Sequence, residues 1–200
     1  KIPGYSDYLH PYDENHVIGL GKDTVLSPTG TFSWYQGVKI SLFDVTDLEN
    51  PIEDAKYVIG DRGTESLAQY DPHAFLFALS KNLLVLPISL YERQGSVGSY
   101  DGEDNQYGEY VGEYAYVLDV SSEDGIVLEG RIGHTEGDVT DDYYDHGSSA
   151  DTIQRSFYIE DVLYTMSNSK IKANELGSLT ELNVIDLPGS DGGGGGEYYF

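Results

Sequence analysis

A strand–turn–strand unit that recurs three times is the feature that most limits how this chain of 200 residues can fold. Residues 37–60 hold the clearest copy, in which apolar residues from Val38 to Leu42 alternate with polar ones, as in a strand with one buried face. Turn-forming Asp, Asn and Pro residues follow, and then a second short strand. The other copies lie at residues 114–133 and 171–187, and the last is the weakest. A repeat of this kind constrains the whole architecture.

Further short apolar runs between the copies bring the total to twelve predicted strands in three groups of four. No apolar pattern with a helical period persists. Four-stranded groups joined by unequal loops are typical of the blades of a β-propeller. The sequence therefore predicts an all-β propeller segment over residues 1–188, with blades at about 5–60, 73–133 and 153–188, and a glycine-rich tail at 189–200. A β-sandwich is the alternative fold, but it does not explain the threefold repeat.

The charge of the chain excludes several classes of partner. Its 35 Asp and Glu residues outnumber 11 Lys and Arg residues, which gives a net charge of −24 that repels nucleic acid and anionic membranes. Such acidity indicates either solubility in a saline or extracellular setting or the binding of divalent cations. There is no cysteine for disulfides or thiolate metal sites, and no apolar run of membrane-spanning length. No signal peptide is visible. Because the chain begins abruptly at Lys1, we expect a processed product or a fragment.

The order of the strands predicts that the long loops share one face of the blades. Because successive strands are antiparallel, loops after each second strand and between blades lie on one face, and short turns lie on the other. The predicted long loops are residues 22–36, 60–72, 92–113 and 134–152. Long loops on a rigid scaffold are where binding usually occurs.

Residues 134–152 are the candidate cation site, because they carry many carboxylates and no Lys or Arg. Carboxylate oxygens suit Ca²⁺, although the spacing matches no EF-hand loop, and a solvated acidic loop is the alternative. The predicted metal ligands are Asp138, Asp141, Asp142 and Asp145, with Glu136 and Asp151 as further carboxylates. His134 and His146 would join only a transition-metal site.

Two tyrosine-rich segments are candidate interaction surfaces. Tyrosines alternate with glycine and acidic residues in residues 92–113, a composition that suits an adaptable contact surface, with a mobile loop as the alternative. A second segment follows five consecutive glycines at the end of the chain, where it would reach a neighbour or remain disordered. The predicted contact residues are Tyr100, Tyr107 and Tyr110 in the first segment and Tyr198, Tyr199 and Phe200 in the second.

Several segments resemble, in order, a known family. They are His10–His16, Gly37–Val45, Tyr57–Thr64, His73–Phe77, Arg155–Ile159 and Lys170–Lys172. These segments are similar to secreted proteins with a C-terminal β-propeller domain, an archaeal and bacterial family that is distantly WD40-like. The resemblance covers nearly the whole chain up to Pro188 and implies a propeller fold in an extracellular setting. It implies no catalytic residues, and because the family domain is larger than this chain, it implies the C-terminal part of a propeller.

The predicted function is an extracellular propeller module with a structural or ligand-interaction role, and no enzymatic activity. Three blades leave two apolar faces open, so we expect the remaining blades, a second copy or another extracellular protein to cover them. The alternative is a glycan-directed hydrolase or lyase that uses carboxylates of the long-loop face. No catalytic or cofactor-binding residue is predicted, since the sequence contains none of the usual nucleophile, zinc or phosphate motifs. His73 is predicted to tie neighbouring strands.

Overall fold

Three antiparallel sheets form the protein, as seen in a computed structural model that describes residues 2–93, 105–134 and 150–188. We call them blades 1, 2 and 3. Blade 1 contains β1 Tyr5–Pro11, β2 His16–Leu26, β3 Ser33–Asp44 and β4 Ile52–Ile59. Blade 2 contains β5 Glu65–Ser66, β6 Leu76–Ala78, β7 Leu83–Glu92, β8 Glu109–Ser121 and β9 Gly125–Gly133. Blade 3 contains β10 Arg155–Ile159, β11 Val162–Met166, β12 Lys170–Glu175 and β13 Glu181–Asp186. The prediction of an all-β fold with three sheets is confirmed.

Blade 2 has five strands because two short strands share its first position. β6 pairs with the beginning of β7, and β5 pairs farther along the same strand. Between them lie two 3-10 helices, Leu67–Gln69 and Pro72–Ala74, and a third, Leu79–Lys81, follows β6. Asp71 caps the second by accepting the backbone N–H of His73 at 3.0 Å. These turns replace most of the strand predicted over residues 74–79.

Several strands are longer than the sequence predicts, so the loops that join them are shorter. β2 continues to Leu26 and β3 begins at Ser33, which leaves residues 27–32 in place of a loop over residues 22–36. The Ser27 N–H closes this hairpin by donating to the carbonyl of Phe32 at 2.8 Å. Likewise β8 begins at Glu109, four residues before the predicted end of the loop. Continued backbone pairing satisfies more N–H and C=O groups than an open loop would.

The hydrophobic core lies between the blades. Alternate residues of β7 face in opposite directions, because side chains alternate along a strand. Leu84 and Leu86 pack into the core shared with blade 1, and Leu83 and Val85 pack into the core shared with blade 3. All four are 5% exposed or less. Burial of apolar area on both faces makes the sheets one packed unit.

Polar contacts also join the blades. The Arg155 guanidinium of blade 3 donates to Asp71 of blade 2 at 2.7 Å, and fully buried His134 shares a hydrogen bond of 2.8 Å with Thr165. The predicted role of His73 is wrong, since its side chain is 84% exposed and contacts its neighbour Asp71. The capped turn brings His73 to the surface, and the buried tie between strands belongs to His134.

The two end faces of the arc differ in chemistry. The outer face of blade 3 is apolar, with Phe157, Ile159 and Ile185 between 41% and 57% exposed. The outer face of blade 1 instead carries Lys39, which is 5% exposed and forms an ion pair of 2.6 Å with Glu53. The expectation of an apolar face at both ends therefore holds for blade 3 only. Among the described residues, no helix has the length and hydropathy needed to cross a membrane.

Candidate functional site

An arginine between two aromatic rings marks the edge of blades 1 and 2 where the longer connections lie. The guanidinium carbon of Arg62 is 4.8 Å from the ring centroid of Trp34 and 4.5 Å from that of Tyr107. The ring of Phe32 meets Trp34 edge-on at 4.9 Å. We call Phe32, Trp34, Arg62 and Tyr107 the aromatic–arginine cluster, and the edge that carries it the long-loop edge. Three separate connections of the chain meet in this cluster.

Local sequence holds Arg62 in place. Gly60 and Gly63 have φ values of +62° and +112°, which glycine adopts without strain. Between them, the Asp61 N–H donates to the Tyr91 carbonyl at 2.8 Å, and the Asp61 carboxylate pairs with Arg93 at 3.1 Å. The segment is thus fixed against the end of β7. A residue with a Cβ at position 60 would approach the Thr64 hydroxyl to 2.2 Å.

The cluster presents aromatic surface to solvent. Tyr107 is 66% exposed and Phe32 is 50% exposed. Arg62 Nη1 is buried without a hydrogen-bond partner among the described residues, so the rings hold this cation. Exposed flat rings beside a fixed cation suit contact with a protein or another ligand that offers apolar and acceptor groups.

A polar group formed by Ser89, Tyr110 and Glu113 lies near the cluster, on β7 and β8. Glu113 accepts hydrogen bonds from Ser89 at 2.9 Å and from Tyr110 at 3.2 Å. Burial raises the pKa of Glu113 although both hydrogen bonds oppose this shift. Burial, followed by the charge of Glu113, also raises the pKa values of Tyr91 and Tyr110, whose rings meet at 5.4 Å.

Two of the predicted interaction residues lie in these two neighbouring groups. Tyr107 belongs to the aromatic–arginine cluster, and Tyr110 lies beside Tyr91 in the neighbouring polar group. Other predicted residues fall outside the described residues, namely Tyr100, Glu136, Asp138, Asp141, Asp142, Asp145, His146, Tyr198, Tyr199 and Phe200. The candidate Ca²⁺ site therefore stays a prediction.

The described residues next to both acidic loops, 92–113 and 134–152, lie at the long-loop edge. Arg93, where the first loop begins, pairs with Asp61 at that edge. β9 ends at Gly133, which pairs with Tyr114 near the beginning of β8. His134, predicted as a ligand only for a transition metal, is buried against Thr165. Its contacts are therefore structural.

Sequence reasoning missed Trp34, Arg62 and Phe32. The chain has one tryptophan, and its position within a predicted loop was the available signal. Arg62 is one of 11 basic residues among 35 acidic ones, yet no sequence pattern indicates that its side chain lies between two rings. Only the pairing of strands brings residues 34, 62 and 107 to one edge.

Comparison with known proteins agrees with this architecture. A family model described as a beta propeller domain matches residues 1–179. An uncharacterized protein of Archaeoglobus fulgidus is 36% identical over 100 residues, which are 50% of this chain and 14% of that protein. An uncharacterized protein of Methanocaldococcus jannaschii is 41% identical over 87 residues, which are 44% of this chain and 12% of that protein. Each match therefore spans about one seventh or less of the relative. No solved structure is significantly similar to the chain.

Proposed function

The chain belongs to the beta propeller domain family, and from this premise we propose that it is an extracellular interaction module rather than an enzyme. The observation that carries the proposal is the solvent-exposed aromatic–arginine cluster, where Trp34, Arg62 and Tyr107 meet on a rigid edge. Aromatic and arginine side chains dominate the energetics of protein contacts. Their rigid placement lowers the entropy lost on binding.

The extracellular setting is supported by composition. A net charge of −24 keeps a protein soluble in a saline or extracellular setting. The resemblance to secreted propeller proteins supports the same setting. Accessibility of the protein to external protease on intact cells tests this part of the proposal. Protection that is lost only on lysis would contradict it.

We further propose that additional blades complete the ring. Propellers have about four to eight blades, and the described residues form three. The outer face of blade 3 carries apolar residues on all four of its strands, namely Phe157, Tyr164, Ile171 and Ile185, of which Phe157 and Ile185 are exposed. A neighbouring blade would bury this face as blade 1 buries blade 2.

Sedimentation of the chain tests whether association buries the apolar outer face of blade 3. We expect concentration-dependent association that the double substitution of Phe157→Ser and Ile185→Ser abolishes. Val127→Ser is the matched control, because Val127 is an exposed apolar residue of blade 2. A wild-type chain that stays monomeric at all concentrations, with cooperative unfolding, contradicts the proposal.

The binding role is tested with the partner-containing extracellular fraction. We expect the wild-type chain to retain a specific component of this fraction, and we expect the Trp34→Ala and Tyr107→Ala variants not to retain it. Tyr70→Ala is the control, since Tyr70 is 71% exposed but lies outside the aromatic–arginine cluster. Because the chain has one tryptophan, quenching or shift of Trp34 fluorescence by the purified component then checks direct contact. Equal retention by all variants contradicts the proposed surface.

A glycan-directed hydrolase or lyase is the second candidate. The observation that favours it is Glu113, a half-buried carboxyl group whose raised pKa suits a general acid. Such an enzyme also needs a second carboxylate at about 5–10 Å. Turnover of an oligosaccharide panel that disappears with Glu113→Gln would support the enzyme over the interaction module.

A further inference from the structure

Three potential metal ligands converge at the edge of blade 1 opposite the aromatic–arginine cluster. One ligand atom each from His16, Asp44 and Asp54 lies within 4.8 Å of the others. His16 begins β2, Asp44 ends β3 and Asp54 belongs to β4. His16 and Asp44 are partners across the β2–β3 ladder, so their side chains lie on the same side of the sheet. This group is separate from the acidic loop that the sequence singled out.

A β-bulge places the third member. Leu42 pairs with Ala55 and Phe43 pairs with Glu53, so Asp54 is the extra residue between them. A bulge redirects the side chain of its extra residue. Here it brings an Asp54 carboxylate oxygen to 3.8 Å from His16 Nε2.

Asp13 fixes the orientation of the imidazole. His16 Nδ1 lies 2.8 Å and 3.0 Å from the two carboxylate oxygens of Asp13. A carboxylate only accepts hydrogen bonds, so Nδ1 carries the proton and donates. In a neutral ring, Nε2 then presents a lone pair toward Asp54. A carboxylate that holds the far nitrogen of a metal-binding histidine in this way is a recurrent second layer of metal sites.

The arrangement lacks a positive charge between its acceptors. Within the described part of the chain, neither Asp44 nor Asp54 has an ion pair with lysine or arginine, and the contact of Asp54 is with His16. A lone pair facing a carboxylate at 3.8 Å is repulsive unless a proton or a cation lies between them. Metal–ligand bonds of about 2.0–2.2 Å place ligand atoms at up to about 4.4 Å from one another, and the 3.8 Å between His16 Nε2 and the Asp54 oxygen lies within this limit.

We propose that His16, Asp44 and Asp54 bind a divalent first-row transition ion of the Zn²⁺ or Mn²⁺ class, with Asp13 as a positioning residue. One imidazole nitrogen and two carboxylates favour such an ion over Ca²⁺, which takes oxygen ligands. Bound metal would clamp the β1–β2 turn to β3 and β4 at this edge, and solvent would supply the remaining ligands. The proposal does not depend on the interaction surface.

Calorimetry with Zn²⁺ on the chelator-treated chain tests the site. We expect saturable binding of one ion per chain, weakened at least about tenfold by His16→Gln or Asp54→Asn and about 10–100-fold by Asp13→Asn. Glu49→Gln is the matched control, because Glu49 is an exposed carboxylate on the β3–β4 turn outside the group. It should leave the affinity unchanged. Ca²⁺ at the same concentration should not compete.

Nuclear magnetic resonance of the wild-type imidazoles needs no substitution. Zn²⁺ should shift the Nε2 resonance of His16 and leave the exposed His73 in place. The proposal is overturned by the absence of saturable binding, by equal competition from Ca²⁺, or by an equal loss of affinity in the Glu49→Gln variant. A His16 ring that stays doubly protonated in the presence of Zn²⁺ would also overturn it, since the proton would then supply the missing charge.

Discussion

At position 62, one arginine lies between two aromatic rings in a strongly acidic chain. Its guanidinium contacts Trp34 and Tyr107 from both sides. Cation–π contacts of this kind contribute about 0.5–1 kcal/mol each at exposed sites. Arg62 therefore orders the aromatic–arginine cluster more than it stabilises the fold.

Replacement of Arg62 by alanine should loosen the cluster. We expect Trp34 fluorescence to shift toward longer wavelength, since water replaces the guanidinium, and the free energy of unfolding to fall by about 1 kcal/mol. Arg131→Ala removes a similar contact, with Tyr114 at 4.5 Å, and should leave the Trp34 emission unchanged. An unchanged spectrum for Arg62→Ala would show that the stacking does not persist in solution.

At position 134, a buried histidine should make stability depend on pH. Burial, reinforced by Lys172 and Lys170, lowers the pKa of His134 to about 4. In the unfolded chain its pKa is about 6.5, so between these values the unfolded state binds the extra proton. The stability contributed by the neutral side chain is complete above about pH 6.5 and is lost as pH falls to about 4, by up to about 1 kcal/mol per pH unit.

The difference between wild type and His134→Gln isolates this effect from other titrating groups. Glutamine keeps a polar partner for Thr165 but does not titrate in this range. Urea unfolding between pH 4 and pH 7 should therefore show a steeper loss of stability in the wild type. Parallel curves for the two proteins would contradict the assignment.

At the scale of elements, close contact between the strands of blade 1 requires a glycine. A Cβ atom at Gly37 would lie 2.2 Å from the carbonyl oxygens of Ile59 and Gly60. These are backbone atoms of the adjoining strand and turn, so they cannot move aside without disturbing the β3–β4 pairing.

Gly37→Ala should thus lower the free energy of unfolding by about 1–3 kcal/mol. Gly177→Ala is the control, since the added Cβ would have a flexible carboxylate at 3.8 Å as its nearest neighbour. We expect this control to lower the free energy of unfolding by less. Urea unfolding measures both. A Gly37→Ala variant as stable as the control would mean that β3 and β4 lie farther apart than in this structure.

At the scale of the whole molecule, charge opposes compactness. A net charge of −24 on 200 residues produces repulsion that salt screens, with a Debye length of about 8 Å at 0.15 M. The cation partners are local, as in the Lys22–Glu65 pair at 2.8 Å and the Lys39–Glu53 pair at 2.6 Å. Most of the acidic charge therefore remains uncompensated.

Stability should accordingly rise with ionic strength. We expect the melting temperature to increase as NaCl is raised from low concentration to about 0.5 M, because screening weakens the self-repulsion of the folded state. Tetramethylammonium chloride should act similarly, which separates screening from specific cation binding. A melting temperature that is constant or falls with salt would show that charge repulsion does not limit the stability of the folded state.

Local patterns in the sequence were sufficient to predict the fold class. Alternation in β3 and the apolar run of β7 predicted strands because a strand exposes its side chains with a period of two, which is a local property. The repeat of hairpins predicted blades because a hairpin is also formed by residues that are close in sequence. Strand ends and the 3-10 turns around Asp71 were less predictable, since pairing with a neighbour decides how far a strand continues.

Which residues form sites depends on how the strands assemble in three dimensions. Trp34 lies at the beginning of β3 while Arg62 and Tyr107 lie on two different connections, and His16, Asp44 and Asp54 lie on three strands. Their distances depend on strand register and on one bulge, and neither can be predicted from local composition. The burial of His134 likewise depends on blade 3 packing against blade 2. Periodicity records which face is buried, whereas contact between distant residues requires the assembled sheets.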